Sequence, residues 1–231
     1  LIPHGGETKL KRASIPNVPV RKGLADLVGP LGMTLEVRAD RVLIVPREAL
    51  LRIGRPATWA DLETLGKLVH LRPGEAGDDL AVILGIVQLQ VDVRGGREVL
   101  AAAIRDVGAG FAEEVLSIAT RNLGWSWRVD GARVVIESIE RQHRAQLGRL
   151  IDLRMNSRPL FDVVTAIGDA AGVPVRVDPD ALRNLPANVR QSFSVNLGNR
   201  TAEQALDAVA AYSGLTYVID AGGVIFSSPT L

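Results

Sequence analysis

The sequence contains no cysteine in 231 residues. That absence excludes disulfide frameworks, thiolate zinc sites and cysteine nucleophiles; it suits a reducing cytoplasm or an oxidising envelope space equally. Aromatic residues make up only 4% of the chain and histidines number three. A metal or catalytic centre built on histidine needs several converging ligands, whereas His4, His70 and His143 fall in separate stretches. No metal, no cofactor and no catalytic residue is therefore expected. Long uncharged runs are also missing. The longest, Leu80–Val91 and Ala208–Ile219, have twelve residues each, against about 20 for a membrane-spanning helix, so no transmembrane segment is expected. Neither sign of charge dominates: the net charge is +1, without a basic block or stripe, which argues against nucleic acid as a partner. The chain opens at Leu1 without a basic-then-apolar leader, as expected where a signal peptide has been removed or never existed. Lysine is scarce, 4 against 23 arginines, and reads as the coding bias of a GC-rich bacterium.

What remains is an ordinary folded composition, 47% apolar and 23% charged, long enough for one or two domains. Its organising feature is an internal repeat. Leu206, then Ser213-Gly214-Leu215-Thr216-Tyr217-Val218-Ile219, then Val224-Ile225-Phe226 has a counterpart 90 residues earlier: Leu116, Leu123-Gly124-Trp125-Ser126-Trp127-Arg128-Val129, Val134-Val135-Ile136. A further 92 residues back stand Leu24, Leu31-Gly32-Met33-Thr34-Leu35-Glu36-Val37 and Val42-Leu43-Ile44. Each copy reads as an amphipathic helix, a glycine stop and a hairpin. Leu24, Leu27, Val28 and Leu31 follow helical spacing, although Pro30 should end or distort that helix early. Gly32, Gly124 and Gly214 fall where a left-handed cap is needed. The hairpin turns are Arg38-Ala-Asp-Arg41, Asp130-Gly-Ala-Arg133 and Asp220-Ala-Gly-Gly223.

Two copies have a matching front half, Leu65–Arg72 paralleling Leu147–Arg154. Strands are expected at Leu68–Arg72 and Leu150–Arg154, and helices on Leu80, Ile83, Leu84, Val87 and on Leu160, Val163, Val164, Ile167, with Asp78 or Asp79 and Ser157 as caps. Short strands at Gln90–Arg94 and Val173–Val177 follow, then third strands at Val99–Arg105 and Gln191–Leu197. Thr201 with Gln204 forms a capping box. The expected class is α+β, in tandem β-α-β-β-α-β-β units. The divisions are a partial unit at 1–46 (its third strand Lys9–Ile15), a connector with a short helix at 47–67, a unit at 68–138, a connector helix at 139–149 and a unit at 150–231.

This unit resembles the short N-terminal domain of secretins and TonB-dependent receptors, the STN family. The residues that carry the resemblance are Pro159-Leu-Phe-Asp-Val-Val164, Val173-Pro-Val-Arg-Val177, and Thr201-Ala-Glu-Gln-Ala-Leu206 with Ser213-Gly-Leu-Thr-Tyr217. They are packing and turn positions, and the internal repeat marks Gly32, Gly124, Gly214, Leu24, Leu116 and Leu206 as structural positions in the same way. The resemblance implies two helices held between two small sheets. It also implies a periplasmic, non-catalytic role, contacting other envelope proteins at an outer-membrane pore or receptor; the alternative is an architectural repeat that self-associates into a stalk or ring. The chain departs from the family in having about two and a half such units in tandem, with no pore barrel, plug or TonB box.

Other features read structurally. Gly108-Ala-Gly110 opens a helix but lacks the rest of a phosphate-binding fingerprint. The acidic pairs Asp78/Asp79 and Glu113/Glu114 are expected as solvated caps in first helical turns. Trp125 and Trp127 share positions with Met33/Leu35 and Leu215/Tyr217, which places them in a core. Trp59 has no counterpart in the other copies and is the residue singled out for possible partner contact.

Overall fold

Leu160, Val163, Val164, Ile167 and Ala171 recur at helical spacing and are all buried, as are Ala202, Ala205, Leu206 and Val209. These two stripes meet at the centre of the C-terminal half. The computed structural model describes residues 19–39, 41–70, 87–93, 96–108 and 110–229, and the chain divides into two compact units, Leu1–Glu137 and Ser138–Leu231. The fold is α+β.

In the C-terminal unit the elements run α6 (Ile139–Leu147), β6 (Leu150–Arg158), α7 (Leu160–Ala171), β7 (Val175–Val177), α8 (Pro179–Asn184), α9 (Ala187–Gln191), β8 (Phe193–Thr201), α10 (Ala202–Ser213), β9 (Thr216–Asp220) and β10 (Gly223–Ser227). β6 and β8 form an antiparallel pair with two register shifts. The second sheet has the order β7-β10-β9, with β7 parallel and β9 antiparallel to β10. Helices α7 and α10 pack on each other and touch strands of both sheets, which is the expected arrangement of two helices between two small sheets. Thr201 and Gln204 form the reciprocal capping box of α10, and Ser138 caps α6 by accepting from the Arg141 N–H. Ser157 is not the cap of α7: it lies in β6 with φ 49°, and the helix is entered through Pro159, whose missing N–H costs nothing there. The third strand begins at Phe193 rather than Gln191, because 187–191 is taken up by α9.

The N-terminal unit contains α1 (Val20–Val28), a single 3-10 turn at Gly29–Leu31, β1 (Met33–Val37), β2 (Val42–Pro46), α2 (Glu48–Leu51), α3 (Trp59–His70), β3 (Gln88–Val91), α4 (Gly96–Val107), α5 (Ala112–Asn122), β4 (Trp125–Asp130) and β5 (Arg133–Ser138). Pro30 falls in the 3-10 turn, so α1 ends early as its sequence requires. The sheet order β3-β5-β4, with β3 parallel to β5, repeats β7-β10-β9. The correspondence reaches single bonds: Asp92 N–H donates to the Ile136 carbonyl and Asp178 N–H to the Phe226 carbonyl, both at 2.8 Å.

Two expected strands are helical instead. Residues 68–70 close α3, whose Leu62, Leu65 and Leu68 are all buried. The stretch Val99–Arg105 lies inside α4, where Leu100, Ala103 and Ile104 form the buried stripe. An alanine-rich run with that period favours helix over strand on both propensity and packing. The 47–67 segment is also built into the core: Ala49, Leu50, Ile53, Ala57, Leu62 and Leu65 belong to the same buried cluster as Leu116, Trp127 and Ile136. Lys9–Ile15, the helix expected from Leu80, and Asp78/Asp79 lie outside the described residues.

Candidate functional site

Each unit bears a groove where the last helix meets the first strand of the hairpin that follows it. In the C-terminal unit the groove, about 640 Å³, is lined by Glu203, Asp207 and Ala210 of α10, by Leu215 and the β9 residues Thr216–Ile219, and by Arg144 of α6. The capping box at Thr201 sets the start of α10, so Glu203 and Asp207 fall four residues apart on one helical face. Alternation along β9 buries Ile219, half-buries Tyr217 and leaves Val218 60% exposed. The Tyr217 hydroxyl donates to Asp207 Oδ1 at 2.7 Å. Burial, that hydrogen bond and the nearby carboxylates together push the phenol well above its ordinary range, so it stays a protonated donor. Arg144 is held on its own helix by Glu140 at 3.1 Å.

The groove of the N-terminal unit, about 470 Å³, is lined by Glu113, Glu114, Ser117, Ile118 and Arg121 of α5, by Trp127 of β4, and by Thr34, Arg47, Glu48 and Ala49. Trp127 Nε1 donates to Ser117 Oγ at 3.0 Å, the same ten-residue link as Tyr217 to Asp207. Arg52, the counterpart of Arg144, donates to the Trp127 carbonyl at 3.1 Å and to Glu48 at 2.7 Å. Glu113 is not a solvated cap. It pairs with Arg47, and the two side chains are 17% and 18% exposed. Burial pushes the Glu113 carboxyl above its usual range, and the Arg47 charge offsets only part of that push.

A polar latch ties α3 to the hairpin turn. Asp61 is fully buried and accepts from Arg55 at 2.7 and 3.0 Å, from the Thr58 N–H and hydroxyl at 2.6 and 2.7 Å, and from the Gly131 N–H at 2.7 Å. Burial alone would raise this carboxyl, but those hydrogen bonds outweigh it and hold it at about 2. Arg55 also reaches Asp130 at 3.0 Å. In the C-terminal unit His143 of α6 ties that helix to its hairpin turn: it is buried, and its Nδ1 donates to the Asp220 carbonyl at 2.9 Å. His143, one of three histidines scattered through the sequence, carries no short-range signal of this contact.

The remaining sequence-selected residues fall as follows. Gly32, Gly124 and Gly214 have φ of 68°, 67° and 73°, and Leu116 and Leu206 are fully buried while Leu24 is half-buried. They lie at separate points of the fold and form no joint site. Trp127 is buried and Trp125 packs against the same core. Trp59 is 60% exposed at the start of α3. Gly108 has φ 79° ahead of α5. The side chain of His70 and all of His4 lie outside the described residues. Among the described residues no group of three or more His, Asp or Glu could hold a metal ion, and no helix is long and apolar enough to cross a membrane.

No curated protein and no solved structure matches the chain. A family match falls on the segment from α8 to β10, which supplies every residue lining the groove of the C-terminal unit except Arg144. Residues 178–227 match the family described as Secretin and TonB N terminus short domain, a domain found in secretins and TonB-dependent receptors.

Proposed function

We propose that this chain is a non-catalytic protein-interaction module of a bacterial envelope assembly, either a secretin-type pore or a TonB-dependent receptor or signalling system, acting in the periplasm. One observation carries the reading: the family match covers the α10–β9–β10 segment, which supplies most of the groove and the exposed Val218. The residues shared among the repeats are packing, cap and turn positions, which build a platform rather than reaction chemistry. The sheets also offer edge strands, where a partner could add a strand of its own.

On this reading the N-terminal unit descends from the same βαββ element. The return of the β3-β5-β4 order and of the ten-residue helix-to-strand link supports that view. The same repetition favours a second reading, an architectural repeat that self-associates into a stalk or ring. Cross-linking the tagged chain in a periplasmic and outer-membrane extract, followed by mass spectrometry, separates the two. Capture of secretion-pore, pilus or receptor-signalling components is expected. Capture of the chain by itself alone, with concentration-dependent growth in light scattering, would favour the architectural reading.

A further inference from the structure

The two grooves share a frame but differ in what meets the glutamate in the first turn of the groove helix. Glu113 and Glu203, ninety residues apart, each sit in the first turn of the groove helix. In the N-terminal unit Glu113 is met by Arg47, which stands at the corner where β2 turns into α2. The corner that matches it in sequence is where β5, the last strand of the N-terminal unit, turns into α6. Aligning Val42-Leu43-Ile44 with Val134-Val135-Ile136 puts Ile139 at the place of Arg47, and isoleucine cannot answer a carboxylate. Glu203 has no hydrogen bond or ion pair among the described residues. Arg144 is engaged by Glu140 on its own helix, as Arg52 is by Glu48.

We propose that the C-terminal groove docks a partner protein through an arginine presented at a strand-to-helix corner, the guanidinium pairing with Glu203 and the aliphatic stem lying along Leu215 and Tyr217. This rests on reading the C-terminal unit as a protein-binding domain. The internal template for it is the Arg47–Glu113 pair, an arrangement suited to guanidinium, whose planar fork matches a carboxylate. A second copy of this chain is a poor source of that arginine, because its Arg47 is already paired with Glu113.

The probe is a fluorescent peptide of the Val42–Ile53 sequence, titrated against the full chain. Binding is expected, weakened at least fivefold by Glu203→Gln in the chain, at least fivefold by alanine in place of the peptide's arginine at the Arg47 position, and by added salt. Glu203 is exposed, so the variant should melt like the parent. No binding up to millimolar peptide, or binding indifferent to Glu203→Gln, would overturn the proposal. So would self-association of the chain abolished by Glu203→Gln, which would make a second copy the occupant. If envelope proteins capture the chain while the peptide fails, the arginine assignment falls alone. If both fail, the protein-binding reading falls with it.

Discussion

Tyr217 donates its phenolic hydrogen to Asp207 at 2.7 Å, bridging the hairpin strand to the helix ten residues before it. Trp127 and Ser117 make the corresponding link in the other unit at 3.0 Å. The two links differ in how much water reaches them, and this sets their energetic weight. Tyr217 is half-buried and Asp207 exposed, whereas Trp127 is buried against the N-terminal core.

Tyr217→Phe should therefore cost only about 0.5–1 kcal/mol, because Asp207 regains water when the bond is lost. Trp127→Ala removes a large buried ring and should cost about 3–5 kcal/mol. Urea melts of the two variants check this ordering; equal losses would contradict it.

Gly223 stands at the start of β10 with φ 115°, and a Cβ there would lie 2.1 Å from the Pro174 carbonyl oxygen, the same oxygen that accepts from the Val224 N–H. Gly223→Ala should destabilise the C-terminal unit by more than about 2 kcal/mol, since backbone rather than a flexible side chain must yield. At Gly214, where φ is 73° but nothing lies within 4 Å, alanine should cost only about 1 kcal/mol and valine more. Thermal melts that rank Gly214→Ala above Gly223→Ala would contradict the close approach.

Asp61 titrates at about 2 in the folded chain, below its ordinary 3.8. Its contribution is therefore complete above the unfolded value and lost as the pH falls through the folded one, and it amounts to about 2 kcal/mol. Glu113, raised by burial, works in the opposite sense and gains as it protonates. The difference in stability between the parent and Asp61→Asn isolates the first effect. It should be large at pH 6 and shrink between pH 4 and pH 2, and a gap that stayed constant over that range would contradict the latch.

Arg47 and Glu113 are shielded enough that breaking one partner should hurt more than removing both. Arg47→Met should cost about 2 kcal/mol by leaving a shielded carboxylate alone, and the double variant with Glu113→Leu should recover much of it. Additive losses in a double-mutant cycle would show that the two side chains do not interact.

Local chemistry made much of this fold legible in the sequence. The glycine stops, the Thr201/Gln204 box and the three hairpins are written in residues that act on their immediate neighbours. The repeat carries strands onto two stretches whose own period is helical: Leu62, Leu65 and Leu68 show that period in the first, and Leu100, Ala103 and Ile104 in the second. The grooves were out of reach for a different reason. Arg47 and Glu113 are 66 residues apart and Tyr217 and Asp207 are joined only by the packing of a helix on a strand, so neither link leaves a short-range signature. His143 was hidden by the charges around it, because burial on one face of a short helix is decided by what packs there.

The most direct test of the interaction reading is photo-cross-linking in bacterial cells, with a photoreactive residue placed at exposed Val218 beside the groove and, as a control, at exposed Arg183 of α8. The expected result is an adduct to a distinct envelope protein from position 218, absent from position 183 and diminished by Glu203→Gln. Adducts confined to the chain itself, or identical from both positions, would contradict it.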